Sequence, residues 1–469
     1  MPTHLHAAHA WLPGGFARDV QFVAGAPGPS ALASVRADAT RDAAATSVQI
    51  VVPGMPNLHS HAFQRAMAGL AERRAPQQAE DSFWSWREVM YAFAGRIGPE
   101  DLRAIAAQLY VEMLEAGYTQ VCEFHYLHHQ PDGRPYDDPA AMSLALVEAA
   151  REAGIGLTLL PTLYMTGGFD GRRLSDRQRR FSHDVDAYLR LLERLRALDE
   201  PALNVGIALH SLRAVPADAM RAVLDAIDAI PAHRRQRAVE RMPVHIHIAE
   251  QIGEVQDCLA IRNARPVEWL LDHAPVDARW CLVHATHLSE AETRRLAASG
   301  AVAGLCPTTE ANLGDGLFPL RTYLDEGGAL GIGSDSHISV SPVEELRWLE
   351  YGQRLVTRHR NISASAAQPS SGETLFAHAL AGGAKAAGGA LAALAPGHRA
   401  DIVVLDDASP LLAGRSPQQL VDTWLFAGNA NLVRDVMVGG EWVVREHRHR
   451  DAERIARRYR GVVERLARA

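Results

Sequence analysis

The sequence predicts an α/β fold, a (β/α)8 TIM barrel that carries a small β-sandwich domain built from both chain termini. Between about residues 50 and 390, short apolar runs typical of buried strands alternate with amphipathic helical stretches. Eight such units fit a closed parallel barrel better than a doubly wound sheet. Polar residues follow six of the eight predicted strands, at the end of a barrel where active sites lie.

The eight predicted barrel strands are near-continuous apolar runs, as expected of strands covered on both faces. They span Val48–Val52, Thr119–Phe124, Gly156–Leu163, Asn204–Leu209, Pro243–Ala249, Trp280–His284, Ala301–Cys306 and Ala329–Ser334. Segments with helical periodicity lie between them, and clear examples are Pro99–Ala116, Pro139–Ala153, Pro216–Ile230 and Ser289–Ser299. Gly154 and Gly300 follow two of these segments, where glycine commonly ends a helix.

Both chain ends differ from the barrel region, because they consist of short strand-like pieces joined by turns. Residues 1–47 and about 395–445 have this character, and the Gly439-Gly440 pair is typical of a hairpin turn. We therefore predict three segments. Residues 1–50 and 393–469 form the small β domain, with an arginine-rich helix at 451–469, and residues 51–392 form the barrel.

Composition and charge exclude several classes of partner. The net charge is −7 and the pI about 6.3, which argues against nucleic acid or an anionic membrane surface as the main partner. No stretch approaches the ~20 apolar residues of a membrane span, and the first residues do not resemble a signal peptide. The four cysteines have no Cys-x-x-Cys spacing. Buried reduced thiols in a cytoplasmic protein are therefore expected.

The most informative motif is His59-Ser-His61, which follows an apolar run and a Pro53-Gly54 break. Residues i and i+2 of an extended strand point to the same side, so both imidazoles can converge on one metal ion. Taken alone, the pair is also compatible with two histidines that hydrogen-bond to the backbone. Residues at the other predicted strand ends distinguish between these two interpretations.

Polar side chains at five further strand ends favour the metal interpretation, because core packing alone rarely produces such a pattern. They are Glu123, His125 and Tyr126; His210 and Arg213; His245, His247 and Glu250; His284 and His287; and Asp335 and His337. Imidazoles with a carboxylate and no thiolate suit zinc or a similar divalent ion. Such an ion can lower the pKa of a bound water, and a nearby carboxyl group can then move protons.

This pattern resembles the amidohydrolase superfamily, and within it the cytosine-deaminase-like branch. The resemblance implies that one divalent ion is bound by His59, His61, His247 and Asp335. Within His245-x-His247-x-x-Glu250, the His-x-x-Glu pattern of the family selects His247 over His245. It also implies three catalytic residues, namely the proton-shuttling Glu250, the polarising His284, and Asp335, which accepts a proton from the attacking water.

The number of metal ions follows from a missing lysine. Binuclear members of the superfamily bridge two metals with a carboxylated lysine on strand 4, and this strand contains none. Lys385, the single lysine of the chain, lies in a distant segment. One Zn2+ per subunit is therefore expected, with another divalent ion such as Fe2+ as the alternative. Many relatives are dimers, so the resemblance also implies a homodimer.

The motifs are similar to those of the formimidoylglutamate deiminases, a family of histidine degradation, over essentially the whole chain. The similar segments are residues 57–69, His245–Gln251 and Gly333–His337. The resemblance implies hydrolysis of N-formimino-L-glutamate to N-formyl-L-glutamate and ammonia. The implied substrate contacts are Gln64, Arg87, Tyr126, His210 and Arg213. Guanidinium groups, with paired N–H donors, suit the two carboxylates of such a substrate.

Two alternatives remain open at this level. One is another deaminase of the same branch, acting on guanine, adenosine-like, triazine or other formimino or guanidino substrates. Arg213 and the Gln64 motif favour the glutamate derivative over aromatic rings. The other is a catalytically inactive barrel that serves as a scaffold. That idea predicts broken ligand positions, whereas every predicted ligand and proton carrier is present.

Overall fold

The computed structural model describes residues 3–25, 31–73, 83–198, 200, 202–230, 242–389 and 392–468. Two sheets organise these residues, a parallel sheet at the centre and a largely antiparallel sheet made from both chain ends. The first four strands are β1 (Thr3–Leu12), β2 (Gly15–Ala24), β3 (Leu32–Arg36) and β4 (Thr46–Pro53). All four belong to the sheet of the chain ends, which we call the terminal sheet.

The central sheet forms the predicted barrel. Its strands are β5 (Met55–Ser60), β6 (Tyr118–His125), β7 (Gly156–Leu163), β8 (Leu203–Val205), β9 (Ile207–Ser211), β10 (Val244–Ile248), β11 (Trp280–His284), β12 (Val302–Leu305) and β13 (Ala329–Ile332). The strands pair in parallel in chain order, and the short β8 pairs only with β7. A parallel bridge between Ser60 and Asp335 brings the first and last strands together and closes the barrel. The predicted fold class is therefore confirmed.

Helices follow most barrel strands, and further helices lie in the C-terminal part of the chain. They are α1 (Phe83–Ala94), α2 (Pro99–Glu115), α3 (Ala141–Ala153), α4 (Val185–Arg196), α5 (Ala217–Asp228), α6 (Ile252–Arg262), α7 (Pro266–His273), α8 (Glu290–Ser299), α9 (Pro307–Leu313), α10 (Leu320–Asp325), α11 (Pro342–Thr357), α12 (Ser371–Ala386), α13 (Pro417–Phe426) and α14 (Ala452–Arg468). Short 3-10 helices span Ala62–Met67, Asp176–Phe181 and Pro410–Leu412. Within the described ranges, no helix is long and apolar enough to cross a membrane.

The chain returns to the terminal sheet through β14 (Ile402–Leu405), β15 (Val433–Val438), β16 (Glu441–Arg445) and β17 (Arg448–His449). β14 pairs with β4, so strands from both chain ends meet in one eight-stranded sheet. The predicted Gly439-Gly440 turn joins β15 to β16, and both glycines have positive φ angles, as a tight hairpin requires. The division of the chain at residues 50 and 392 stays a prediction.

One strand assignment from the sequence is wrong. Val48–Val52 is not the first barrel strand, because it lies in β4 and pairs with β1 and β14 of the terminal sheet. The barrel begins after Gly54, with β5. A Cβ atom on Gly54 would lie 2.2 Å from Thr119 Oγ1, so only glycine fits where the chain passes between the sheets. Both runs are short and apolar, and periodicity cannot separate two such strands.

Helix α12 packs directly on the backbone of the barrel. A Cβ atom on Gly382 would lie 1.9 Å from the carbonyl oxygen of Leu330 in β13, and one on Gly383 would lie 2.9 Å from Pro56 Cβ in β5. The two glycines thus let α12 approach the junction of the first and last strands. Close approach of this kind is a position where glycine has a packing function.

We predict that Gly382→Ala destabilises the protein, although alanine normally favours a helix over glycine. Overpacking a close contact costs about 1–3 kcal/mol. Gly461, exposed in α14 with no atom near its missing Cβ, provides the matched control. Gly461→Ala is expected to gain about 0.5–1 kcal/mol. Urea unfolding followed by circular dichroism measures both, and equal stability of the two variants would contradict a rigid α12–β13 contact.

Candidate active site

The four predicted metal ligands converge at the carboxyl end of the barrel. The Nε2 atom of His59 lies 3.2 Å from Nε2 of His61 and 3.1 Å from Nε2 of His247. Asp335 Oδ1 lies 3.5 Å from Nε2 of His59 and 3.4 Å from Nε2 of His61. Ligands about 2.0–2.2 Å from a tetrahedral zinc ion are separated by roughly 3.4 Å. The three imidazoles therefore fit one divalent ion, Asp335 approaches two of them, and binding itself stays a prediction.

Hydrogen bonds at the other ring nitrogens orient two of the imidazoles. Nδ1 of His61 donates to the carbonyl oxygen of Phe124 at 2.8 Å, and Nδ1 of His247 donates to that of His210 at 3.0 Å. Each Nε2 is then left as an acceptor directed at the ion position. Burial, followed by the influence of neighbouring histidines, lowers the pKa of His59 and His247 well below its usual value. These imidazoles are thus neutral, the state that binds metal.

Left-handed backbone occurs at several strand ends around this position. The φ angles are 51° at Ala249, 69° at His284, 48° at Ala285 and 42° at Asp335. Non-glycine residues adopt such angles rarely and at a cost of about 1–3 kcal/mol each. The turns direct Glu250, His284 and Asp335 inward, and concentrated strain of this kind is typical of functional sites.

The predicted proton carriers lie beside the ligands. His284 Nε2 is 3.7 Å from Glu250 Oε1 and 3.9 Å from Asp335 Oδ2, and its Nδ1 is 3.3 Å from Glu310 Oε1. Burial raises the pKa of Glu250 to about 7. Although burial alone would lower the pKa of His284, Glu250, Glu310 and Asp335 raise it to about 10. Near neutral pH, Glu250 can therefore both accept and donate a proton, and His284 carries a positive charge.

The five predicted substrate contacts line one cavity with the proton carriers and three of the four predicted ligands, His61, His247 and Asp335. The five contacts are Gln64, Arg87, Tyr126, His210 and Arg213. The amide nitrogen of Gln64 donates to the Tyr126 hydroxyl at 2.9 Å, while the buried amide oxygen has no partner among the described residues. The Arg87 guanidinium lies over the rings of Trp84 and Tyr91, at 4.4 and 5.5 Å. Burial alone would lower the pKa of Arg213, but the nearby carboxylates of Glu254 and Glu250 raise it, so Arg213 is charged.

Several residues of the cavity do not emerge from the sequence pattern. The remaining lining of the cavity is aromatic and apolar. It consists of Phe83, Trp86, Met90, Tyr91, Tyr164, Phe181 and Leu313. Glu310, the partner of His284, stands in the α9 helix that directly follows β12. Its position after a barrel strand is a signal that the sequence analysis missed. Asp315, two residues past α9, is buried near Glu250 and was also missed.

His245, two residues before His247, serves a different purpose. Its Nε2 atom bonds to the carbonyl oxygen of Ala386 at 2.9 Å, at the end of α12. The side chain is fully buried but contributes no atom to the group of His59, His61 and His247. The geometry thus agrees with the selection of His247 over His245.

Comparisons with known proteins define the family. The sequence profile described as "Amidohydrolase family" matches residues 50–443. The chain belongs to the amidohydrolase family. It is 54% identical to a formimidoylglutamate deiminase of Pseudomonas aeruginosa, with 97% of each chain covered. It is 26% identical to a 5-methylthioadenosine/S-adenosylhomocysteine deaminase of Natronomonas pharaonis, with 87% of this chain and 85% of the relative covered.

Solved structures agree with this assignment. An amidohydrolase from Brucella melitensis superposes with a TM-score of 0.91 at 45% identity, and 99% of this chain and 100% of that chain are covered. An adenosine deaminase from Xanthomonas campestris with bound zinc gives a TM-score of 0.78 at 22% identity, with 100% and 99% covered. The more distant match shows the fold alone. The predicted resemblance to this superfamily is confirmed.

We predict that His247→Ala loses most of its bound metal, because one of four converging ligands is removed. His245→Ala is the matched control, since it deletes a neighbouring buried imidazole that does not face the ion position. It is expected to keep one metal per chain, even if its melting temperature falls. Elemental analysis after dialysis against metal-free buffer measures both. Equal metal loss in the two variants would mean that His247 is not a ligand.

Proposed function

We propose that this protein is a metal-dependent deiminase that hydrolyses N-formimino-L-glutamate to N-formyl-L-glutamate and ammonia. The near full-length, 54% identical relationship to a formimidoylglutamate deiminase carries the proposal. The cavity adds chemical support, because it combines a set of metal-ligand atoms, two proton carriers and two arginines. An inactive scaffold would have no reason to retain this combination.

The side chains account for the reaction as follows. A divalent ion held by the four ligands would supply a water of lowered pKa. Asp335 accepts a proton from that water as its oxygen bonds to the formimino carbon. Protonated Glu250 gives its proton to the imino nitrogen during this attack, so the tetrahedral carbon carries a hydroxyl and an amino group. The hydroxyl proton then returns to Glu250 as the carbonyl forms, and the proton held by Asp335 passes to the amino group, so the C–N bond breaks with release of ammonia. The positively charged His284 stabilises the negative charge that develops on the oxygen bonded to the tetrahedral carbon.

Recognition of the substrate rests on charge and shape. Arg87 and Arg213 would each bind one of the two carboxylates with paired N–H donors. The unpartnered Gln64 oxygen and the His210 ring offer further polar contacts. Trp86 and Tyr91 supply apolar surface for the methylene groups. A purine or triazine ring would give neither guanidinium group a carboxylate of the substrate to pair with, and would forgo these charge-assisted contacts.

We further propose Zn2+ as the ion, with Fe2+ as the alternative, and one ion per subunit. Three imidazoles with one carboxylate suit zinc, and two solved proteins of this fold, an adenosine deaminase and an atrazine chlorohydrolase, contain zinc. A cytoplasmic homodimer acting in histidine degradation completes the proposal. The four cysteines, all buried and unpaired, are compatible with a reducing compartment.

The decisive test is ammonia release from N-formimino-L-glutamate by the zinc-loaded protein. N-formimino-L-aspartate, which is one methylene shorter, is the comparator. Rapid release from the glutamate derivative alone is expected, because the spacing of the two arginines fixes the length of the substrate. Absence of release from both compounds in metal-loaded protein would overturn the proposal, and aminopurines would be tested next.

We predict that Glu250→Gln lowers kcat by about 10²–10⁴-fold, since the variant cannot carry protons. Its metal content should stay at the wild-type value, because Glu250 is not among the four proposed ligands. Steady-state kinetics and elemental analysis of the same preparation measure the two quantities. Loss of metal from this variant would show that the assigned role is wrong.

We predict that Arg213→Lys weakens substrate use by about 10–100-fold in kcat/KM, because a paired, charge-assisted contact to a carboxylate is lost. The change should appear mainly in KM, as expected for a contact that is present in both ground and transition states. Arg173→Lys, in an exposed loop, is the matched control and should not alter kinetics. Unchanged KM in Arg213→Lys would exclude Arg213 from substrate binding.

A further inference from the structure

A second group of buried ligand atoms lies next to the four proposed metal ligands. It consists of Glu250, His284 and Asp315, each with one ligand atom within 4.8 Å of the others. The three residues are only 6%, 1% and 5% exposed. None of them belongs to the group of His59, His61 and His247. Asp315 has no part in the proposed reaction, so the mechanism does not explain its burial here.

The hydrogen bonds of Asp315 leave part of its charge unbalanced. The side-chain amide of Gln251 donates to Oδ1, but the buried Oδ2 atom has no partner among the described residues. A buried carboxylate oxygen without a donor or cation is unfavourable. Asp315 also stands near the second buried carboxylate, Glu250, and burial, followed by repulsion from Glu250, raises the pKa of Asp315. A cation between the two carboxylates would relieve both defects.

His284 is oriented to complete such a site. Its Nδ1 atom faces Glu310 Oε1 at 3.3 Å, and Glu310 Oε1 in turn accepts from the backbone N–H of Cys306 at 2.9 Å. The other nitrogen, Nε2, faces Glu250 at 3.7 Å. Two carboxylates and one imidazole are the ligand types of zinc and similar divalent ions. Because only a neutral imidazole binds metal, an ion at this position displaces the proton from His284 Nε2.

We infer that a second divalent ion binds Glu250, His284 and Asp315, and that this ion inhibits the enzyme. The ion would occupy the two groups that the reaction needs for proton transfer and charge stabilisation. This second ion has three protein ligands, one fewer than the first ion. Its affinity is therefore lower, and it binds only at a higher metal concentration. The inhibition rests on the proposed function, whereas the binding does not.

Metal binding tests the site without any assay of activity. Wild-type protein is dialysed against increasing Zn2+ and the metal per chain is measured by elemental analysis. Two ions per chain are expected at excess zinc. Asp315→Asn, which retains an oxygen for Gln251, should keep the first ion and bind the second about tenfold or more weakly. Asp257→Asn, which removes an exposed carboxylate of α6, is the control and should bind two.

A second ion with unchanged affinity in Asp315→Asn, or a single ion in the wild type at every concentration, would overturn the inference. Anomalous diffraction from zinc-soaked wild-type crystals covers the case in which the variant does not fold. A peak between Glu250, His284 and Asp315 supports the site, and a second peak elsewhere contradicts it.

Activity then tests the inhibition separately. Ammonia release by the wild type should fall as the second ion binds, with the Asp315→Asn curve shifted to about tenfold or more higher zinc. Full activity of doubly loaded protein would overturn the inhibitory role. If the protein binds two ions but never releases ammonia from N-formimino-L-glutamate, the proposed function fails while the second site stands.

Discussion

The closure of the barrel between its first and last strands positions most of the candidate site. Asp335 N–H donates to His59 O at 3.1 Å, and His61 N–H donates to Asp335 O at 3.2 Å. Three of the four proposed ligands are therefore fixed by the same backbone hydrogen bonds that close the sheet, and His247 approaches from β10. The backbone is tightly packed here, since a Cβ atom on Gly333 would lie 2.7 Å from His59 Cβ. Fold and ligand geometry cannot vary independently.

Much of this architecture could be predicted, because strand periodicity and helix-ending residues are local properties. Trp280–His284 and Gly156–Leu163 have the predicted bounds, and α3 ends before the left-handed Gly154 as expected. The predicted strand Asn204–Leu209 is divided into β8 and β9 at Gly206, where a Cβ atom would lie 2.6 Å from Leu160 Cδ2. Val48–Val52 could not be assigned to the correct sheet from its sequence, because burial in either of the two sheets gives the same apolar run.

Gln64 and Arg87 were implied only by the family resemblance, whereas the strand pattern itself predicts a site only from residues that stand at the ends of barrel strands. His59, His61, His247 and Asp335 do so directly, and the parallel barrel brings such positions together whatever their separation in sequence. Helix α1 and the 3-10 helix at Asp176–Phe181 contribute cavity walls through tertiary packing that has no local signal. Asp315 lies beyond α9, and its return toward Glu250 depends on the path of a loop that periodicity does not describe.

The metal-ligand group also has an energetic consequence for folding. Because the Nδ1 atoms of His61 and His247 donate to backbone carbonyls, their Nε2 atoms carry lone pairs, and both face Nε2 of His59 at 3.2 and 3.1 Å. A proton on His59 can satisfy only one of these two contacts, whereas a divalent ion satisfies all three nitrogens and the Asp335 carboxylate. Any ligand that binds only the native state adds its binding free energy to folding. An ion bound at this position would therefore stabilise the closed barrel as well as supply its chemistry.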